Sequence, residues 1–429
     1  MPVKLSMRTL PPQMQNLAPA LGIYVSIPFC RAKCSYCNFA SGVYGADRMA
    51  AYVEKLAAEI REAPERVATW GSRLPKKVDS VYFGGGTPSL LSISQLYGIV
   101  KAIREVFSVR DSAEITLECA PGQISDEMLH AMSGIGFNRV SLGVQSFVDH
   151  EAAAVGRTHT RAITLHDIDR LLAAGIDDIN VDLIAGLPHQ TRQSWRESLS
   201  QAIDTGVPHL SVYMLDVDED SRLGREMIAG GTRYGVGMVP NEQTIADMYT
   251  EAAEQFDAAR ISQYEISNFA LDGHRSRHNL KYWTRQPYLG FGLDAHSFLP
   301  TPTGEAIRVA TADDLTAYMN SNIAQIDRET ITPVSPTEAM EEAWFLGLRL
   351  NDGVSLADIM REFGESAVAP YRPILDEAQQ QGLIEYDEHR ARLTPQGRLF
   401  ANDVFQRFLG VVHSDETVAT QIQDQGVFA

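Results

Sequence analysis

Short apolar, β-rich runs recur about every 32 residues between positions 22 and 215, the length of one strand–helix unit. They fall at 22–27, 79–83, 113–118, 138–144, 178–184 and 209–215, with helical patterns between most of them. Helix entries are marked. Ser92 with Gln95 forms a capping box ahead of Leu96, Ile99, Val100 and Ile103, which share one helix face. Six such units are two short of a closed eight-fold barrel, so the chain is expected to be an α/β protein built on an incomplete parallel (βα)6 barrel.

After this repeat the pattern changes. Residues 216–240 are acidic and then Gly-rich and read as a connection, and a helix resumes over 241–259. From Ser335, a helix cap followed by Pro336, the order becomes helix (337–350), helix (355–363), helix (369–381), hairpin (383–393) and a last helix after Gly397. A mainly helical C-terminal domain with a winged-helix-like part is expected. The organisation predicted is an N-terminal extension (1–20), a barrel core (21–240), a connecting region (241–332), the winged-helix-like domain (333–410) and a tail (411–429).

Charge bears on the partners. Lys and Arg number 37 against 55 Asp and Glu, a net −18 that phosphate backbones repel. Winged-helix modules often bind DNA, yet residues 333–410 hold seven Arg, no Lys and 13 acids, a net −6. Nucleic acid is not expected as a partner. No run approaches the roughly 18 apolar residues of a membrane helix, and residues 1–20 lack the apolar core of an export signal. A cytoplasmic protein is expected.

Four cysteines cannot frame a disulfide scaffold in 429 residues, and three of them, Cys30, Cys34 and Cys37, lie within eight positions directly after the first predicted strand. The C-x3-C-x2-C spacing lets one short loop wrap one inorganic centre. Structural zinc takes four ligands, and the nearest downstream histidine is His130. A cubane iron–sulfur cluster held by three thiolates keeps one iron open to a ligand. The alternatives are a zinc site completed from afar or incidental buried thiols. Phe29, Tyr36 and Phe39 are expected to exclude water from the centre, and Cys119 reads as a small buried residue.

The triad, Tyr24 before it, and Gly84-Gly-Gly-Thr-Pro-Ser89 together resemble the radical S-adenosylmethionine (SAM) superfamily. Within it, Ile27-Pro-Phe-Cys30, Gly143-Val-Gln-Ser-Phe147 and Asp182-Leu-Ile-Ala-Gly-Leu-Pro188 are similar to the branch that holds oxygen-independent coproporphyrinogen III oxidase and the HemW-type heme chaperones. The resemblance implies a [4Fe–4S] cluster on Cys30, Cys34 and Cys37. It assigns Tyr24, Tyr36, Gly85, Gly86, Thr87, Glu118, Gln145, Arg157 and Asp182 to SAM. The chemistry implied is reductive cleavage of the SAM sulfonium to methionine and a 5′-deoxyadenosyl radical, which calls for an electron donor.

Two functions remain within that branch. The oxidase decarboxylates porphyrinogen propionates, and it has a further Cys two places after the third ligand, where this chain has Phe39. It also has more sequence ahead of the triad than the 29 residues here. His278-Asn279-Leu-Lys-Tyr282-Trp283 matches the H-N-x-x-Y-W motif that the chaperone group associates with heme. An imidazole can ligate heme iron and flat rings can contact a porphyrin, so the resemblance assigns heme to His278, Tyr282 and Trp283. Leu293-Asp294 stands where that group more often has Cys-Gly. The chaperone reading, with heme and heme-acceptor proteins as partners, is preferred to the oxidase.

Overall fold

The computed structural model describes residues 20–321 and 331–411. All but one residue each of the expected N-terminal extension and tail fall outside them. The chain divides into two units, at Val334 and Ser335.

The first unit is organised on one 12-stranded sheet. Its centre is β1 (Leu21–Ile27), β2 (Lys77–Gly85), β3 (Ser108–Cys119), β4 (Arg139–Gln145), β5 (Asp178–Ala185) and β6 (His209–Met214), hydrogen-bonded in sequence order and all parallel. Each crossover carries at least one helix, among them Ala46–Arg61, Ile93–Val106, Asp126–Ile135, Arg161–Ala173 and Arg192–Asp204. These strands sit within a few residues of the expected ones because helices cover the sheet, and both strand faces carry buried apolar side chains. Entry into Ile93–Val106 is fixed by the expected box: Ser92 Oγ accepts from Gln95 N–H at 3.3 Å and Ser92 N–H donates to Gln95 Oε1 at 2.8 Å.

The remaining strands flank this centre. β7 (Ser262–Gln263) and β8 (Asn268–Ala270) join β6 antiparallel. On the other edge β9 (Tyr288–Phe291) pairs parallel with β1 and is followed by antiparallel β10 (His296–Pro300), β11 (Ala306–Ala310) and β12 (Ile331–Val334). The stretch 216–240 is more than the connection expected. It contains the helix Arg222–Ile228, and its Leu223, Val236 and Val239 pack with Tyr36, Leu187 and Leu215. The interspersed apolar residues turn a Gly-rich segment into a cover for the loop after β1.

The second unit has a three-stranded sheet in the order β13 (Val354–Ser355), β15 (Arg390–Leu393), β14 (Ile384–Tyr386). Three helices, Pro336–Arg349, Leu356–Phe363 and Arg372–Gln380, accompany it. Its core stacks Trp344 on Phe408 and Tyr371, with ring centres 5.3 and 5.1 Å apart. The expected winged-helix-like order of elements is present.

Candidate cofactor site and motif helix

β1 ends at Ile27, and the loop that follows is clamped on three sides. On the first, Gly86 N–H donates to Ile27 O at 2.9 Å and Thr87 N–H to Phe29 O at 2.7 Å. On the second, Ser35 N–H donates to Val155 O at 3.1 Å. On the third, Leu223 N–H donates to Ser35 O at 2.8 Å and Asn38 Nδ2 to Asp218 Oδ2 at 3.0 Å. Cys30, Cys34 and Cys37 sit on this loop as free, half-buried thiols. Among the described residues no three His, Cys, Asp or Glu side chains close on a point as they would around a single ion.

The surroundings suit an anionic polynuclear centre. Burial works against the Arg157 charge, but Tyr36, Cys34, Asp182 and Cys30 more than offset it and hold the guanidinium above its ordinary value. Its Nε is buried without a hydrogen-bond partner among the described residues, a donor left for a bound group. A cation beside these sulfurs favours thiolates, the form that ligates iron. Tyr36 is half-buried as expected, whereas Phe39 is 57% exposed and shields nothing, contrary to expectation. It lies in a cleft of about 400 Å3 whose lining includes Lys33, Tyr44, Leu293, Asp294 and Asp313. Cys119 is buried at the end of β3, with its thiol toward Leu117 O.

The rim residues come together on neighbouring strands. Glu118 Oε1 accepts from Tyr82 OH at 2.8 Å. Burial, with some repulsion from Asp182, pushes its carboxyl up to about 7 against the pull of the Tyr82 hydrogen bond and Arg157. Asp182, three residues short of the end of β5 and therefore deeper than expected, accepts from Asn180 Nδ2 at 2.8 Å and Ser141 Oγ at 3.1 Å. Burial raises its carboxyl all the same.

Gln145 has φ +69° where the β4–β5 register shifts, a local kink that re-aims its side chain. Next to it Arg157 Nη2 donates to Gly143 O at 2.6 Å, an approach that a Cβ at Gly143 would block. The glycine edge also has a second purpose. A Cβ on Gly86 would lie 2.7 Å from Phe29 O and 2.8 Å from Ile27 O, so this glycine lets β2 dock on the cysteine loop.

The motif helix is Arg277–Trp283. His278 and Tyr282 share one side, as their spacing predicts, and bond each other, Nε2 to the hydroxyl at 2.9 Å. His278 is 1% exposed, its Nδ1 lies 3.1 Å from Ser80 Oγ, and its ring stacks on Tyr82 with centres 5.3 Å apart. Burial lowers its pKa to about 3, so the ring is neutral, and both ring nitrogens are engaged. Tyr24 stacks on Tyr82 at 6.2 Å, which brings a residue assigned to SAM into one aromatic group with the motif histidine. Trp283 is half-buried beside Tyr282.

Sequence reasoning missed Tyr82, Ser80, Ser141 and Asn180. Each lies two residues from a residue it did single out or from another in the group, and period-two alternation along β2, β4 and β5 could have found them. It noted Asp294 but not its backbone, which has φ +53°. A left-handed position explains why glycine is common there. Asp294→Val is expected to lower stability by about 1–2 kcal/mol, and Asp294→Gly to leave it unchanged or raise it, in urea unfolding. Equal midpoints for the two variants would refute this.

Two family models match the chain, the radical SAM superfamily over residues 24–202 and the HemN C-terminal domain over 334–400. The heme chaperone HemW of Lactococcus lactis is 32% identical, over 90% of this chain and 96% of that protein. HemW of Bacillus subtilis is 33% identical, over 90% and 98%. Among solved structures, Escherichia coli coproporphyrinogen III oxidase (HemN), described as a radical SAM enzyme, aligns with a TM-score of 0.75 over 91% of this chain and 90% of that one. At 22% identity that likeness concerns the fold.

Proposed function

Because the chain belongs to the HemW family within the radical SAM superfamily, we propose that it is a heme chaperone that binds a [4Fe–4S] cluster, SAM and heme and passes heme to acceptor proteins. The observation that carries this reading is the likeness to proteins named heme chaperone along nearly the whole chain, including the part that follows the barrel.

Cys30, Cys34 and Cys37 hold the cluster, and Arg157 balances the charge of their thiolates. Glu118, Gln145 and Asp182, with the Gly85–Gly86–Thr87 edge, bind SAM; Tyr24 and Tyr36 bound its pocket. The carboxylates suit a ligand with an ammonium, a sulfonium and ribose hydroxyls. When bound, cluster and SAM together supply one-electron reductive cleavage, for which an electron donor is needed. Heme meets the motif helix. Ligation by His278 requires its bond to Tyr282 or to Ser80 to open, whereas Tyr282 and Trp283, half-buried, offer ring contact. A reducing compartment, the cytoplasm, fits three unpaired thiols. No helix among the described residues is long and apolar enough to cross a membrane.

Anaerobic reconstitution followed by parallel assays for heme uptake and coproporphyrinogen consumption tests the reading. Heme binding and transfer to a heme-free acceptor are expected, without porphyrinogen turnover. Sustained turnover with no specific heme uptake would make the oxidase the better reading. His278→Ala is expected to weaken heme binding or shift the bound heme's absorption while cluster iron and SAM affinity persist. A variant with an unchanged heme spectrum and affinity would remove His278 from the heme site.

A further inference from the structure

Behind Asp182 a buried line of hydrogen bonds crosses from β5 to the motif helix. Asn180 Nδ2 gives its two hydrogens to Ser141 Oγ at 2.7 Å and Asp182 Oδ1 at 2.8 Å. Its Oδ1 then faces His209 Nδ1 at 2.7 Å, and an amide oxygen only accepts, so Nδ1 carries the hydrogen. Burial drives His209 well below the ordinary histidine value, which leaves the ring neutral and Nε2 bare. The Tyr264 hydroxyl, 3.0 Å away, therefore donates to Nε2, and its oxygen accepts Ser276 N–H at 3.2 Å. Ser276 caps the motif helix by accepting Asn279 N–H. Asn180, His209, Tyr264 and Ser276 are each no more than 4% exposed.

Every donor in this line points toward Asp182. The reverse orientation of the Asn180 amide would set its oxygen against the carboxylate, so the polarity is fixed from the Asp182 end. A line of aligned hydrogen bonds strengthens its last member, the one that reaches the carboxylate. We propose that Asn180, His209 and Tyr264 are positioning residues that hold the Asp182 carboxyl as an oriented acceptor for SAM and tie that acceptor to the N-terminus of the motif helix. The proposal rests on the reading of Asp182 as a SAM contact. Removing the Tyr264 hydroxyl loosens Asp182 without touching any group that meets the ligand.

The test uses full-length protein, cluster-loaded under anaerobic conditions, with SAM affinity measured by equilibrium dialysis alongside iron content and melting temperature. Tyr264→Phe, which keeps the ring packing, is expected to weaken SAM binding roughly three- to tenfold, the effect of one lost hydrogen bond, with iron content unchanged. His209→Gln, which retains a donor and an acceptor, is expected to bind SAM more tightly than His209→Leu. In an Asp182→Asn background Tyr264→Phe is expected to add nothing, because the carboxyl it orients is gone and an amide NH2 stands in place of one accepting oxygen. Full additivity of those two changes would overturn the relay, as would wild-type affinity in Tyr264→Phe when Asp182→Asn is weakened. Wild-type affinity in Asp182→Asn itself would overturn the SAM-contact reading and the relay with it. If His209→Leu does not fold, Tyr264→Phe and the double variant decide.

Discussion

Anaerobic reconstitution of a Cys34→Ala protein is expected to leave no visible absorption and no reduced-state spin resonance from a cubane cluster. On the proposed reading the loop supplies three thiols to a centre that needs all of them. The fourth cysteine, Cys119, is buried on β3 with its thiol turned to its own backbone and is not expected to substitute. Phe39→Ala serves as the control: an exposed ring is not expected to affect iron content. In the wild type, three thiolates would leave one iron of the proposed cluster without a protein ligand, so added SAM is expected to perturb the reduced cluster's resonance. A full iron complement in the Cys30/Cys34/Cys37 triple variant would end the assignment, and an intact cluster indifferent to SAM would end the open-iron reading.

SAM affinity is expected to rise with pH between about 6 and 7.5. Glu118, lifted by burial to about 7, is largely protonated below that range and ionised above it. The groups that face it are Tyr82, the Gly85 N–H, Asp182 and Arg157, and SAM brings a permanent sulfonium charge to which an ionised carboxylate is the better partner. Below the folded value each unit of pH is therefore worth up to about tenfold in affinity. The sign for stability is opposite. A carboxyl raised on folding favours the ligand-free fold while protonated, and that contribution is lost as pH climbs from the unfolded value through about 7. Glu118→Gln should flatten the SAM profile. A profile that keeps its slope in that variant would assign the titration to another group.

Much of the architecture could be read from the residues because long strands buried on both faces leave a strong local signal. β1 to β6 lay within a few residues of their expected positions, and Ser92 and Ser335 announced their helices by short-range chemistry. The flanking strands β7 to β12 have two to five residues each, too few for a period to emerge, and their pairing depends on partners far away in the chain. The site divides the same way. The cysteine spacing and the strand-end carboxylates are local, so they were legible. That Gly86 is glycine for the sake of Phe29 O, that Gln145 turns at a register shift, and that His278 is occupied by Ser80 are facts of contact between distant segments.

The clamp on the cysteine loop also bears on the order of events in synthesis. Ser35 is held from one side by Leu223 N–H, a residue made about 190 positions later, which at roughly 5–20 residues per second is a wait of about 10–40 s. The Gly86–Thr87 and Val155 clamps come from residues made earlier, so at the end of that interval the three thiols travel on a loop that lacks only its third side. On the proposed reading, a cluster loaded in that window would meet a loop open on one side, whereas one loaded afterwards would meet a walled pocket. The last wall to arrive is the Gly-rich stretch with Leu223, Val236 and Val239, so a nascent chain stalled before it would present the proposed cluster thiols without this cover against oxidants.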